Sequence, residues 1–185
     1  MRFFRFKSKA LPEYQIAEFV ADNDLLDIES LKSSVSQARS PIPLLRKARE
    51  KSNEILNDRY RNDHKIEHIV KGRAWVVDEI LKLAWKALTW PDPRDISLIA
   101  VGGYGRGELL PHSDVDLLVL TKHGWNNKYR DYISSFLTML WDIGLEPGHS
   151  VRSIRQCRQE AAKDITVATA LMESRLLTGN SDLYS

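Results

Sequence analysis

Two aspartates that stand two positions apart, Asp114 and Asp116, are the residues whose type and spacing indicate chemistry most directly. An apolar run at residues 117–120 follows them, as in a strand. Residues two apart in a strand point to the same face, so the two carboxylates lie side by side. Adjacent anions repel each other and lose solvation, which is costly unless a cation binds between them. The spacing therefore predicts a site for a metal cation.

A glycine pair, Gly102 and Gly103, ends the preceding apolar run at residues 96–101. Glycines at a strand end let backbone N–H groups approach phosphate oxygens closely, and a helix N-terminus after them favours an anion. Aspartate oxygens are hard ligands that suit Mg²⁺, which usually also binds substrate phosphates. The combination predicts nucleoside triphosphate chemistry with two metal ions, one activating an attacking hydroxyl and the other stabilising the departing pyrophosphate.

Other nucleotide and phosphate motifs do not fit this spacing. The Walker pattern GxxxxGK[ST] is absent, and the dinucleotide fingerprint GxGxxG fails because Glu108 stands three positions after Gly105. In a phosphatase-type DxD motif the aspartates follow a buried strand, whereas the apolar run here comes after them. These classes of site are therefore excluded.

The site has to be positioned by a mixture of helices and strands. Hydrophobic periodicity predicts strands at residues 96–101, 114–121 and 146–151. It predicts helices at residues 24–39, 43–61, 65–89 and 129–143, then one from Ser153 and a last one from Asp164 to about residue 178. We therefore expect an α+β fold, with a small mixed sheet that carries both aspartates and is flanked by helices. An N-terminal helical region would span residues 1–90, and the domain with the site would span residues 91–185.

Composition excludes several classes of partner. The net charge of +2 over 185 residues is too small to predict a nucleic-acid coat or binding to a membrane surface. No apolar run approaches the ~20 residues that span a bilayer. The single cysteine, Cys157, fits a reducing compartment, where a lone cysteine is usually a packed small hydrophobe. We expect a soluble, cytoplasmic protein.

The glycine-rich segment and the aspartate pair together carry a family resemblance. Residues 102–109 (GGYGRGEL) and 113–118 (SDVDLL) resemble the signature of the polymerase-β-like nucleotidyltransferase superfamily. More narrowly, they resemble the bifunctional uridylyltransferase/uridylyl-removing enzymes of bacterial nitrogen regulation. Further likeness to that family lies downstream, at residues 140–146, 148–152, 164–169 and 173–177, and the last two of these segments resemble its closing helix.

The resemblance implies transfer of UMP from UTP to a tyrosine hydroxyl of a PII signal protein, with Mg²⁺ or Mn²⁺ as cofactor and pyrophosphate as product. It implies that Gly102 and Gly103 hold the triphosphate, with Ser113 nearby, and that Asp114 and Asp116 bind the metals. Arg106 lies in the motif, where it would order the loop, contact a phosphate or form a structural salt bridge.

The superfamily also implies a third carboxylate on a later strand, which activates the nucleophile. Glu146 is the candidate, because it begins the third predicted strand. His149 would be a base or a UTP contact, or an ordinary packed or solvated histidine.

The chain departs from whole members of that family, which are far longer and add an HD-type hydrolase domain and ACT domains that sense glutamine. Asp63 precedes His64, so no HD pair is formed. The chain is therefore expected to be an N-terminal fragment without the removing activity or glutamine control.

Two alternatives remain open: a nucleotidyltransferase with another acceptor, protein or RNA, and a non-catalytic nucleotide-binding module. RNA is disfavoured by the small net charge, because many Lys and Arg contacts normally drive its binding.

Overall fold

A computed structural model describes residues 22–123 and 127–184 of the chain. Within these residues, no helix is long and apolar enough to cross a membrane. The predicted α+β fold is confirmed, because a four-stranded mixed sheet is flanked by helices.

The N-terminal half of the described chain consists of three helices: α1 (Ile28–Gln37), α2 (Ile42–Arg61) and α3 (Ile66–Lys86). The side chain of Asp27 caps α1 by accepting a hydrogen bond from the Ser30 N–H. Proline stands at the start of α2, where its missing N–H costs nothing. The three predicted helices are thus confirmed, and their ends differ from the prediction by a few residues.

The sheet has the strand order β3-β2-β1-β4. Its strands are β1 (Ile96–Ala100), β2 (Val115–Thr121), β3 (Pro147–Arg152) and β4 (Arg175–Gly179). β1 pairs antiparallel with β2 and β4, whereas β2 pairs parallel with β3. A short α4 (Gly102–Gly105) joins β1 to the segment before β2, and α5 (Asn127–Ile143) connects β2 to β3.

The predicted last helix is wrong beyond Met172. It is divided into α7 (Ile165–Met172) and β4, after α6 (Ile154–Ala161), and a short α8 (Ser181–Tyr184) follows. β4 pairs with β1, whose backbone N–H and C=O groups would otherwise be left unpaired at that edge. A Cβ at Gly179 would lie 2.6 Å from the Ile96 carbonyl oxygen, so this close pairing requires glycine. The capping box of Ser153 and Gln156 at the start of α6 is confirmed.

The two faces of the sheet are covered to different extents. One face packs against α2, α3 and α5 to form the main core, which includes Leu56, Ile80, Leu98, Leu117 and Phe136. The other face carries a small cluster of Ile99, Leu118, Leu120 and Cys157, with Leu171 of α7 packed against it. Cys157 is buried in this cluster and is thus a packed side chain, and its burial raises the pKa of the thiol.

The N-terminal helices and the sheet share the main core. The predicted division of the chain at residue 90 stays a prediction.

Candidate active site

Asp116 is the second residue of β2, and Asp114 stands one residue before this strand begins. By strand alternation they share the less covered face of the sheet with Leu118 and Leu120. Both are exposed, and neither carboxylate accepts a hydrogen bond or forms an ion pair within the described part of the chain. Burial raises the pKa of the Asp116 carboxyl, and the charge of Asp114 raises it further. Two adjacent carboxylates that have no cationic partner among the described residues fit a divalent metal, and the predicted metal site stays a prediction.

Two glycines enclose the Asp116 carboxylate. Gly148 of β3 is the residue that pairs with Asp116 of β2, and a Cβ on Gly148 would lie 2.6 Å from Asp116 Oδ1. A Cβ on Gly102 would lie 3.6 Å from Oδ2, and this residue has a φ of +58°, which favours glycine. Gly148 thus belongs to the site, although sequence reasoning did not assign it. Only the parallel register of β2 and β3 reveals its role.

We expect Gly148→Ala to weaken Mg²⁺ binding about tenfold or more while leaving the thermal stability of the chain nearly unchanged. The new methyl group would turn the Asp116 carboxylate away from its position, and disturbing the support of a metal ligand typically costs 10- to 100-fold in affinity. Isothermal titration calorimetry measures the effect. His149→Ala is the matched control, because His149 is exposed and by strand alternation points to the opposite face. Unchanged Mg²⁺ affinity in Gly148→Ala would contradict the placement of Asp116.

Arg106 connects the glycine segment to the end of α7. Its Nε donates to Glu108 Oε2 at 3.0 Å, and its Nη1 donates to Glu173 Oε2 at 2.8 Å. These three side chains are 38–48% exposed, so solvent screens each ion pair and its contribution to stability is small. The salt bridge is thus present, whereas a contact from Arg106 to a phosphate stays a prediction.

A buried polar network fixes the glycine segment from behind. The Tyr104 hydroxyl donates to Asp78 Oδ1 of α3 at 2.6 Å. Arg175 of β4 donates from Nη2 to the same oxygen at 3.1 Å, and to the Tyr104 carbonyl at 3.2 Å. Burial raises the pKa of Tyr104 well above its usual value, and the charge of Asp78 adds to the effect. α4 is thereby attached to both α3 and β4.

Sequence reasoning missed this network. The available signal was Asp78, an acidic residue inside the apolar stripe of α3, where a carboxylate needs a buried partner. The partner, Arg175, was assigned to a helix.

Two cavities meet at Asp116. The larger cavity has a volume of about 540 Å³ and is lined by Val70, Gly103, Tyr104, Arg106, Glu108, Leu109, Leu110, His112, Ser113, Asp114 and Asp116. The smaller cavity has a volume of about 250 Å³ and is lined by Val101, Gly102, Asp116, Leu118, Ser150, Arg152, Thr166, Val167, Ala170 and Leu171. The larger cavity falls within the roughly 300–1,000 Å³ that is usual for small-molecule sites, whereas the smaller one does not.

The structure brings most of the predicted site residues together. Gly103, Arg106, Ser113 and both aspartates line the larger cavity, and Gly102 lies beside Asp116 on the smaller one. Glu146 lines neither of these two cavities. It immediately precedes β3 and lines a different cavity, together with Arg49 and Arg73.

Within residues 22–123 and 127–184, no group of three or more His, Cys, Asp or Glu side chains could hold a metal. The assignment of Glu146 as a third carboxylate thus stays a prediction that this geometry does not support.

Comparisons with known proteins agree with the site. The family model described as "Nucleotidyltransferase domain" matches residues 81–166, which include both aspartates and the glycine segment. No solved structure matches the chain.

Similar curated proteins are each named bifunctional uridylyltransferase/uridylyl-removing enzyme. One from Pseudomonas putida (strain W619) is 46% identical over 88% of this chain. One from Azotobacter vinelandii (strain DJ) is 48% identical over 88% of it, and one from Pseudomonas fluorescens (strain SBW25) is 47% identical over 85%. The chain spans 18% of the length of each of these relatives. Residues 81–166 therefore match a nucleotidyltransferase domain, and the chain is a homologue of part of the bifunctional uridylyltransferase/uridylyl-removing enzymes.

Proposed function

We propose that this chain transfers UMP from UTP to a tyrosine hydroxyl of a PII signal protein in the bacterial cytoplasm, with release of pyrophosphate. One observation carries the proposal: the carboxylates of Asp114 and Asp116, which have no ion-pair partner in the described part of the chain, lie against the glycine segment in a cavity large enough for a nucleotide. The relatives named uridylyltransferases support the choice of UMP. The unpaired, buried Cys157 fits a reducing cytosol.

Asp114 and Asp116 would hold Mg²⁺ or Mn²⁺ at the mouth of the larger cavity. When bound, the metal supplies stabilisation of the charge that develops on the reacting oxygens. Gly103, with no Cβ, leaves its backbone N–H accessible to a phosphate oxygen, and the exposed Ser113 hydroxyl is available as a hydrogen-bond donor. Arg106 would exchange a carboxylate partner for a phosphate oxygen when the triphosphate binds.

The covalent step is a displacement at the α-phosphorus of UTP. The tyrosine oxygen forms a bond to this phosphorus, and the bond from the phosphorus to the oxygen bridging to the β-phosphate breaks. Pyrophosphate leaves with the electron pair, and the phenol proton passes to solvent. The chain contributes by holding the triphosphate in line with the acceptor and by neutralising charge, which are the main sources of rate in such transfers.

The test is a labelling panel with the purified chain and Mg²⁺. The chain is offered each of the four ribonucleoside triphosphates, labelled at the α-phosphate, with either PII or RNA as acceptor. We expect label from UTP on PII only. Label on RNA, or equal labelling from all four nucleotides, would replace the proposal by a nucleotidyltransferase with another acceptor. Binding of nucleotide without transfer would favour a non-catalytic module.

Replacing Arg106 by glutamine separates its two roles. We expect Arg106→Gln to raise KM for UTP about tenfold, because a charge-assisted hydrogen bond to phosphate is lost. The melting temperature should change by less than about 2 °C, because the two ion pairs are exposed. Arg94→Gln is the control, since Arg94 also forms an exposed ion pair, with Asp92, but lies outside both cavities. A large loss of stability with an unchanged KM would make Arg106 a structural residue.

A further inference from the structure

We propose that the smaller cavity binds the acceptor's tyrosine ring, and that Arg152 faces the attacking phenolic oxygen. This inference rests on the proposed function and assigns the second half of the same site. The larger cavity would then hold the nucleotide, and the two substrates would meet at Asp116, which lines both cavities.

The volume and lining of the smaller cavity fit an aromatic side chain. Its volume of about 250 Å³ is less than half of the 540 Å³ of the larger cavity. Apolar side chains from β2 and α7, including Leu118, Val167 and Leu171, form its walls. Three polar side chains, Ser150, Arg152 and Thr166, and the Asp116 carboxylate complete the lining. A small cavity lined by both apolar and polar side chains suits a phenol, which has an apolar ring and one polar hydroxyl.

Arg152 is available for a ligand. It is half-buried at the end of β3, and its side chain makes no hydrogen bond or ion pair within the described residues. The neighbouring arginines of the site differ, because Arg106 pairs with two glutamates and Arg175 pairs with Asp78. By strand alternation, Arg152 shares the face of Gly148, the partner of Asp116. The smaller cavity therefore contains a guanidinium that lacks an anionic partner among these residues.

The side chains of β3 that share the face of the aspartates explain why a phenol suits this site. The three residues on this face are Gly148, Ser150 and Arg152, so this face of the strand offers a cation and no carboxylate. A tyrosine hydroxyl has a pKa of about 10, far below that of an aliphatic alcohol, and depends less on a carboxylate base. A nearby guanidinium stabilises the negative charge that grows on the phenolic oxygen as it attacks.

The relative position of the two cavities fits the geometry of the transfer. In an in-line displacement the attacking oxygen and the leaving pyrophosphate lie on opposite sides of the α-phosphorus. Cavities that adjoin at one metal-binding carboxylate allow this arrangement, with the triphosphate beside Gly103 and Ser113 and the phenol beside Arg152. The tyrosine oxygen gains the bond to phosphorus, pyrophosphate leaves with the electron pair, and the proton goes to solvent.

The test compares Arg152→Gln with Arg152→Lys and with the control Arg155→Gln. Arg155 is exposed on α6 and lies outside both cavities. We expect Arg152→Gln to lower kcat/KM for PII about 10- to 100-fold, the loss typical of a hydrogen bond to a charged group. Arg152→Lys should recover part of this loss. Binding of Mg-UTP, measured by calorimetry without acceptor, should change less than about twofold in every variant.

Two further measurements use the cavity and the acceptor themselves. Ala170→Leu, which fills part of the cavity from α7, should also raise KM for PII without weakening Mg-UTP binding. A fluorinated acceptor tyrosine in PII has a more acidic hydroxyl. This change should raise the transfer rate of Arg152→Gln by a larger factor than the transfer rate of the unmodified chain.

The outcomes distinguish a failure of the acceptor site in the smaller cavity from a failure of the proposed UMP transfer. If Arg152→Gln weakens Mg-UTP binding instead, the smaller cavity belongs to the nucleotide, and the inference is overturned while the function stands. Unchanged kinetics in both Arg152→Gln and Ala170→Leu would also overturn the inference. If the unmodified chain transfers no UMP to PII at all, the proposed function fails and the inference fails with it.

Discussion

Replacing Asp116 by asparagine is expected to lower kcat/KM for UMP transfer at least 100-fold while slightly stabilising the unliganded chain. The loss of activity follows because a direct metal ligand is removed, and even disturbing the support of a ligand costs about 10- to 100-fold. The gain in stability follows from the raised pKa of Asp116, caused by burial and by the charge of Asp114. A carboxyl whose folded pKa is raised favours unfolding when it is ionised, so removing its charge relieves this cost.

The increase in melting temperature should be small, at most about 2 °C, because Asp116 is partly exposed and its charge is screened by solvent. Thermal melts with and without Mg²⁺ measure it, and Mg²⁺ should stabilise the unmodified chain but not Asp116→Asn. Asp131→Asn is the control, because Asp131 is exposed on α5 outside both cavities. An Asp116→Asn variant that keeps both its activity and its Mg²⁺ response would exclude Asp116 as a metal ligand.

The largest loss of stability is expected from Asp78→Ala. Asp78 is buried and accepts hydrogen bonds from Tyr104 and Arg175, so its removal leaves a partly buried guanidinium without its anion. Breaking a buried pair in this way typically costs 3–5 kcal/mol, which corresponds to a fall in melting temperature of about 10 °C for a chain of this size. α4 would lose its attachment to α3, and UMP transfer should fall with it.

A double variant and a surface control test the origin of this loss. Replacing both Asp78 and Arg175 by leucine should cost less than the sum of the two single changes, because neither charge is then left unpaired. Asp58→Ala removes an ion pair with Arg61 that is largely exposed, and it should cost less than about 1 kcal/mol. If Asp78→Ala costs no more than Asp58→Ala in urea denaturation, the network does not hold the glycine segment.

Local sequence patterns were sufficient for most of the elements and for the spacing of the aspartate pair. α2 and α3 were predictable because each has a long apolar stripe and no proline in its interior; the proline of α2 lies at its start. β1 and β2 were predictable because each is a short apolar run bounded by turn residues. The glycine segment and the aspartates lie within these signals, so these residues of the site could be anticipated from spacing alone.

Features that depend on pairing between distant segments could not be read in this way. β4 follows the apolar α7 closely, and only its pairing with β1 distinguishes it from a continued helix. Glu146 was the candidate third carboxylate because it begins the third predicted strand, and its role stays a prediction; the register, which pairs Gly148 with Asp116, could not be read from local sequence. The partnership of Asp78 with Arg175 joins residues 97 positions apart, so no local pattern could indicate it.

Intact-mass spectrometry of PII after incubation with the chain, UTP and Mg²⁺ tests the central claim most directly. The claim is that Asp114 and Asp116 form the metal-dependent centre of a UMP transfer to tyrosine. We expect PII to gain the mass of one UMP for each subunit, with the addition mapped to a tyrosine by peptide fragmentation. Neither Asp114→Asn nor Asp116→Asn should produce the addition. Full modification of PII by either variant, or no modification by the unmodified chain, would contradict the claim.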